Sequence, residues 1–169
     1  MVDPRIERLR DLGADIAEAV YFGPDVYIEH WFAPLLTIES GAVLSQGVTV
    51  LLHDSSLNNV AGDDILLGKV TLRENCYLGA NTTVLCDVEV GAGSLVGANS
   101  LLTRDIPENC VAFGSPARVV GSVTEFRDRT GKHGTARTAA VSAKPWRHRS
   151  SEEHERQLTR VALEEVSER

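Results

Sequence analysis

Cysteine is scarce in this chain, and the three present do not pair. Cys76, Cys86 and Cys110 are odd in number and form no CxxC motif. A disulfide framework and a thiolate zinc site are therefore excluded, and the three read as reduced thiols. Long apolar runs are missing too: none approaches the ~18 residues of a membrane-spanning helix. The opening stretch "MVDPRIERLRDLG" is charged throughout, unlike a secretory leader. A cytoplasmic protein with no membrane span is the expectation. Positive charge is in deficit, with a net −7 over 169 residues, which argues against a nucleic-acid partner. The deficit is uneven. Residues 1–126 carry −10, residues 127–149 carry +6 and residues 150–169 carry −3, so the composition breaks near residue 126.

What is present is a beat of six. Leu72, Leu78, Val84, Val90, Val96 and Leu102 recur at every sixth position. Two places before each stands a small or branched residue: Val70, Cys76, Thr82, Val88, Ser94 and Ser100. The segments between are rich in Gly, Asn and Asp. A helix is excluded, because a 3.6-residue period does not keep these positions on one face and glycine breaks its interior. Simple hairpins need alternating direction and primed-turn dipeptides, not a fixed beat. A parallel β-helix satisfies the pattern: each hexapeptide supplies a short strand and a turn, and three make a triangular coil. The aliphatic residue fills the coil axis, and the small residue fits the corner. Upstream, Ile16, Phe22 and Ile28 keep step, and Ile38, Leu44 and Val50 keep step again. Two gaps interrupt the beat. "EHWFAPLLT" holds about four extra residues, and a second loop protrudes after His53.

The stretch "KVTLRENCYLGANTTVLCDVEVGAGSLVGANSLLTRDIPENCVAFGSPARVVG" (69–121) resembles the hexapeptide-repeat acyltransferases. The ending "TRDIPENCVAFGSPARVVG" is especially similar, in the manner of the maltose, galactoside, xenobiotic and surface-sugar acetyltransferases. The resemblance is specific over roughly 40–121 and extends weakly to about residue 15. It implies an all-β fold, a left-handed parallel β-helix. It also implies a homotrimer with acetyl-CoA in the groove between adjacent subunits. One His in that groove acts as general base, and the acetyl group passes directly to the acceptor without a covalent intermediate. No metal is required. The related gamma-class carbonic anhydrases hold zinc with several His on neighbouring strands. Here the repeats contain only His30 and His53, with His133, His148 and His154 in the tail.

His53 matches the family's base: it follows the strand "GVTV" and opens the second loop. Imidazole accepts a proton near neutral pH, as an attacking alcohol requires. Asp54 is a candidate orienter of the ring, although adjacent strand residues point to opposite faces. His30 is the rival base or a substrate-loop residue. Trp31 and Phe32 beside it suit either stacking on a sugar face or covering a coil end. Asn58, Asn59 and Asn81 are candidates for sugar hydroxyls, and are also ordinary turn residues. By resemblance, Gly79, Ala80, Gly97 and Ala98 line the CoA groove. Thr103, Arg104 and Arg118 stand where the nucleotide end with its phosphates binds, and Pro116 flanks the adenine. Cys76 occupies an inward position and reads as core.

Three parts follow: the β-helix domain (1–121, repeats from about 15), a basic linker or arm (122–149) and an amphipathic C-terminal helix (150–169). Ser150 and Glu153 form a capping-box-like start to that helix, and Leu158, Val161, Ala162 and Val166 keep helical spacing. The function implied is acetyl-CoA-dependent O-acetylation of a sugar or glycosylated small molecule. N-acetylation of an amino sugar uses the same base and fold. A non-catalytic β-helix subunit that binds through its arm is the reading from another class.

Overall fold

The structure is a computed structural model that describes residues 3–130, 134–135, 138–139, 156 and 159–160. The chain divides into two compact units, 1–123 and 124–169. The first opens with a helix, α1 (Pro4–Asp11). Asp3 accepts a hydrogen bond from the Arg5 N–H at 2.9 Å, and Pro4 needs no donor partner at a helix start. Ile6 and Leu9, three apart, bury one face of α1 against the first strand.

Four coils follow, each with three short strands. They are β1 (Asp15–Ile16), β2 (Tyr21–Phe22) and β3 (Tyr27–Ile28); then β4 (Leu36–Ile38), β5 (Val43–Leu44) and β6 (Thr49–Val50). After an inserted arm come β9 (Val70–Leu72), β10 (Tyr77–Leu78) and β11 (Thr83–Val84), then β12 (Val88–Val90), β13 (Leu95–Val96) and β14 (Leu101–Leu102). The arm itself contains β7 (His53–Asp54), α2 (Ser56–Ala61) and β8 (Leu66–Leu67). Stacked coils form three parallel sheets: β1-β4-β9-β12, β2-β5-β10-β13 and β3-β6-β11-β14. The register aligns the six-residue beat vertically. Ile16, Ile38, Leu72 and Val90 form one column, and Ile28, Val50, Val84 and Leu102 another. β15 (Cys110–Gly114) extends the second sheet, and β16 (Ala117–Ser122) turns back antiparallel to finish it.

The beat is the core. From Ile38 to Leu102 every axial residue is at most 1% exposed. Burial of each such side chain contributes roughly 1.5–3 kcal/mol. The corner positions are buried as well, and their hydroxyls are satisfied. Ser94 Oγ donates to the Pro107 carbonyl at 2.6 Å, and Ser100 Oγ to the Gly97 carbonyl at 2.6 Å. Cys76 shares this environment, and burial pushes its thiol up to about 12.

Helix α3 (Val123–Thr130) begins at the last residue of the first unit, so a helix stands near the start of the segment expected as a linker. A short antiparallel pair joins Gly134–Thr135 to Thr138–Ala139. Of the expected terminal helix, Arg156, Thr159 and Arg160 are helical, and the rest of 150–169 lies outside the described residues. No helix among the described residues is long and apolar enough to cross a membrane.

Candidate active site

A triangular coil has three edges, and only one carries both insertions. The edge between the third sheet and the first sheet of the next coil holds residues 29–35, 51–69, 85–87 and 103–105 in ascending order. Because the coils stack in register, His53, Glu29, Cys86 and Arg104 share this edge, although 75 positions separate Glu29 from Arg104.

His53 stands where the beat stops. Its backbone pairs with Leu67 across the β7–β8 ladder, which anchors the residue between the coil and the arm. Nδ1 is buried and lies against Oε1 of Glu29, a pairing that is ionic only when the ring is protonated. The approach is not aligned as a hydrogen bond, and Nδ1 has no aligned acceptor in the structure. Among the described residues, Glu29 is the one acidic side chain paired with His53. Glu29 itself is 3% exposed. Its second oxygen, Oε2, accepts the Leu52 N–H at 2.8 Å. A buried carboxylate is costly unless it is bonded, and here Oε2 has a backbone donor while Oε1 faces the imidazole. Phe32 closes another side of the imidazole, with ring centroids 5.3 Å apart at 49°. With Nδ1 facing Glu29, Nε2 is the nitrogen left for a substrate.

Asp54 turns elsewhere. Its Oδ1 accepts the Ser56 N–H at 2.8 Å, and the Ser56 side chain, then its N–H, hold the carboxyl below the usual range. Alternation along β7 separates the neighbours, and the carboxylate that faces His53 is that of Glu29. Glu29 is not among the residues to which the sequence points. Its signal is an acidic residue directly after the axial Ile28, and Ile28 pairs with Val50, three residues before His53.

The other candidates separate into groups. His30 and Trp31 stack on each other, centroids 4.6 Å apart, on the first-coil turn of the same edge. Asn58 and Asn59 spend their amides inside the arm, on the Asp63 and Ser55 carbonyls at 2.7 and 2.8 Å. Asn81 occupies a left-handed turn position at φ 58°. Gly79, Ala80, Gly97 and Ala98 lie with Asn81 on a different edge, between the second and third sheets. Pro116 belongs to the turn between β15 and β16, near that edge, where the Gly114 N–H donates to Ser100 Oγ at 3.3 Å. Arg118 donates to the Ala117 carbonyl at 2.8 Å. Thr103 and Arg104 return to the edge of His53, two coils further along. Within one chain, the third sheet therefore separates His53 from the glycine-lined edge. Burial pushes the Cys86 thiol up, with Asp54, Asp87 and Glu29 adding to the rise, so Cys86 is a poor nucleophile here.

A hexapeptide-repeat β-helix with a buried carboxylate–imidazole pair is the class these observations define. Residues 69–104 match the family described as "Bacterial transferase hexapeptide (six repeats)". In sequence and fold the chain is similar to hexapeptide-repeat acetyltransferases. It is 46% identical over 66 residues to a galactoside O-acetyltransferase of Lactococcus lactis, covering 39% of this chain and 32% of that protein. It is 34% identical over 114 residues to a putative serine acetyltransferase of Schizosaccharomyces pombe, covering 68% of this chain and 41% of that protein. A solved serine acetyltransferase in complex with cysteine superposes with a TM-score of 0.53 at 27% identity, covering 65% of this chain and 39% of that one. The chain thus spans less than half the length of these relatives.

Proposed function

We propose that this protein is an acetyl-CoA-dependent O-acetyltransferase that acts on the hydroxyl of a sugar or glycosylated small molecule, with His53 as general base. The observation that carries the reading is the His53–Glu29 pair at the break in the beat. Glu29 stabilises the tautomer with hydrogen on Nδ1, so Nε2 is free to accept a proton. The acceptor hydroxyl gives its proton to Nε2 as its oxygen attacks the thioester carbonyl. Collapse of the tetrahedral intermediate expels the CoA sulfur, which takes the proton back from His53. Glu29 balances the imidazolium charge between these steps.

The relatives support the reaction class, since each is named as an acetyltransferase, and the galactoside enzyme supports a sugar acceptor. Serine also offers a hydroxyl, so the serine acetyltransferase matches favour an amino-acid alcohol as a second reading. The donor's fit rests on small and cationic residues. Ala80 and Ala98 leave little bulk at the edge of the second and third sheets, and Arg104 is exposed with no ion pair among the described residues. In this reading the β-helix is left-handed and the active unit is a homotrimer, so Gly79, Ala80, Gly97 and Ala98 of one subunit face His53 of another. The setting is cytoplasmic.

The test is acetyl-CoA turnover against a panel of galactosides, maltosides, amino sugars and serine. His53→Ala is expected to lower kcat/KM by about 10³-fold with the fold retained. A variant as active as the wild type sinks His53 as the base. Transfer to serine alone would replace the sugar by the second reading.

A further inference from the structure

A cavity of about 230 Å³ lies between α1 and the first coil, and nothing in the proposed transfer uses it. Leu9, Phe22, Val26 and Ile28 form its apolar part. Arg5, Arg8, Tyr27 and His30 complete the lining. The two arginines differ. Arg5 is committed to the fold: its guanidinium chelates Asp3 and donates to the Gly23 and Phe22 carbonyls at 2.9 and 3.1 Å. It also lies over the Phe22 ring, 5.6 Å from the centroid. Arg8, one helical turn later, is exposed and has no side-chain hydrogen bond or ion pair among the described residues. The cavity therefore combines an apolar interior with one uncommitted cation.

We propose that this cavity binds a small aromatic carboxylate, with the ring among Phe22, Val26 and Ile28 and the carboxylate on Arg8. Size selects the ring. A dry apolar cavity of ~150 Å³ holds benzene, so this volume suits a six-membered ring with one small substituent. The apolar part of the lining suits the faces of an aromatic ring, because Leu9, Phe22, Val26 and Ile28 offer contact area and no hydrogen-bonding groups. Charge selects an anion, because a planar guanidinium binds carboxylate with two parallel hydrogen bonds. His30 lines the cavity and stacks on Trp31, so occupancy perturbs an indole that is otherwise 77% exposed.

The probes are benzoate and its neutral isostere benzamide, titrated into the full chain by calorimetry and by tryptophan emission. A Trp146→Phe background leaves Trp31 as the sole tryptophan. Benzoate is expected to bind about tenfold tighter than benzamide and to shift Trp31 emission. Arg8→Gln, at an exposed position, removes that preference and leaves benzamide binding unchanged. Val26→Phe fills the interior and weakens both at least tenfold. The His53→Ala protein binds benzoate like the wild type, which keeps this test separate from the transferase reading. Equal affinity for the two probes, an unaffected Arg8→Gln variant, or no saturable binding by the wild type would overturn the proposal.

Discussion

Two edges of the same β-helix are built on opposite rules. Between the second and third sheets, the first four coils turn in four residues each: 23–26, 45–48, 79–82 and 97–100. The third residue of every turn is left-handed: Asp25, Gly47, Asn81 and Asn99, with φ between 56° and 69°. Space is exhausted there. A Cβ on Gly79 would lie 2.5 Å from the Ala98 nitrogen, a backbone atom that cannot yield. Between the third and first sheets, the turns run to seven residues at 29–35, nineteen at 51–69, then three and three. That edge holds Glu29, His53 and the arm. An edge that repeats one geometry at every coil transmits any change to its neighbours. An edge that varies can gain side chains without disturbing the stack, and the His53–Glu29 pair sits on that edge.

The largest effect that would sharpen this comparison is Glu29→Gln. The amide still accepts from Leu52 but removes the charge beside His53, so kcat should fall about a hundredfold with KM for acetyl-CoA held. Steady-state kinetics separate the two constants. A parallel loss of melting temperature with unchanged kcat would reduce Glu29 to a structural residue.

Next comes a matched pair of glycines. Gly79→Ala forces a methyl into backbone and should cost about 2–3 kcal/mol by denaturant unfolding. Gly62→Ala, at φ 76° with nothing within 4 Å, pays only for the left-handed conformation, about 1 kcal/mol. Equal costs would break the distinction between a crowded edge and an open one.

The smallest effect lies at the end of the first sheet, away from these two edges. Arg73 bridges Glu39 and Glu89, each at 2.8 Å. The guanidinium lowers the Glu89 carboxyl below its ordinary value. A lowered folded-state value means stability present above the unfolded carboxylate range, near ~4.3, and lost as pH falls through the folded one. Arg73→Gln should therefore lower the melting temperature slightly at pH 7, with the gap to wild type closing as pH drops toward 3. All three side chains are partly open to solvent, so the gap is small at any pH. A gap that widens in acid would contradict the charge ladder.

Much of the fold was legible because a repeat states its own constraint. Ile38, Leu44 and Val50 keep the beat in sequence, and all three are buried at the coil axis. Both insertions were visible as gaps, and His53 was visible as the residue at which the beat stops. Glu29 was not assigned. Coils that stack in register make neighbours of residues separated by 22, 34 or 18 positions, depending on what is inserted between them. No fixed spacing in the chain then announces the pair. Asp54 drew attention by adjacency, which alternation along a strand makes a poor guide to side-chain contact.

By itself, the sequence determined the parallel β-helix. Axial aliphatics every six residues, small corner residues and turn-forming Gly, Asn and Asp leave few other ways to bury one continuous core. It also located the break where a titratable group meets the stack. Only the tertiary structure decided which carboxylate faces that imidazole, which edge gathers Glu29, His53 and Arg104, and that α1 borders a cavity on the first coil. Those outcomes depend on the register between coils, and register is a property of the stacked backbone and not of any single repeat.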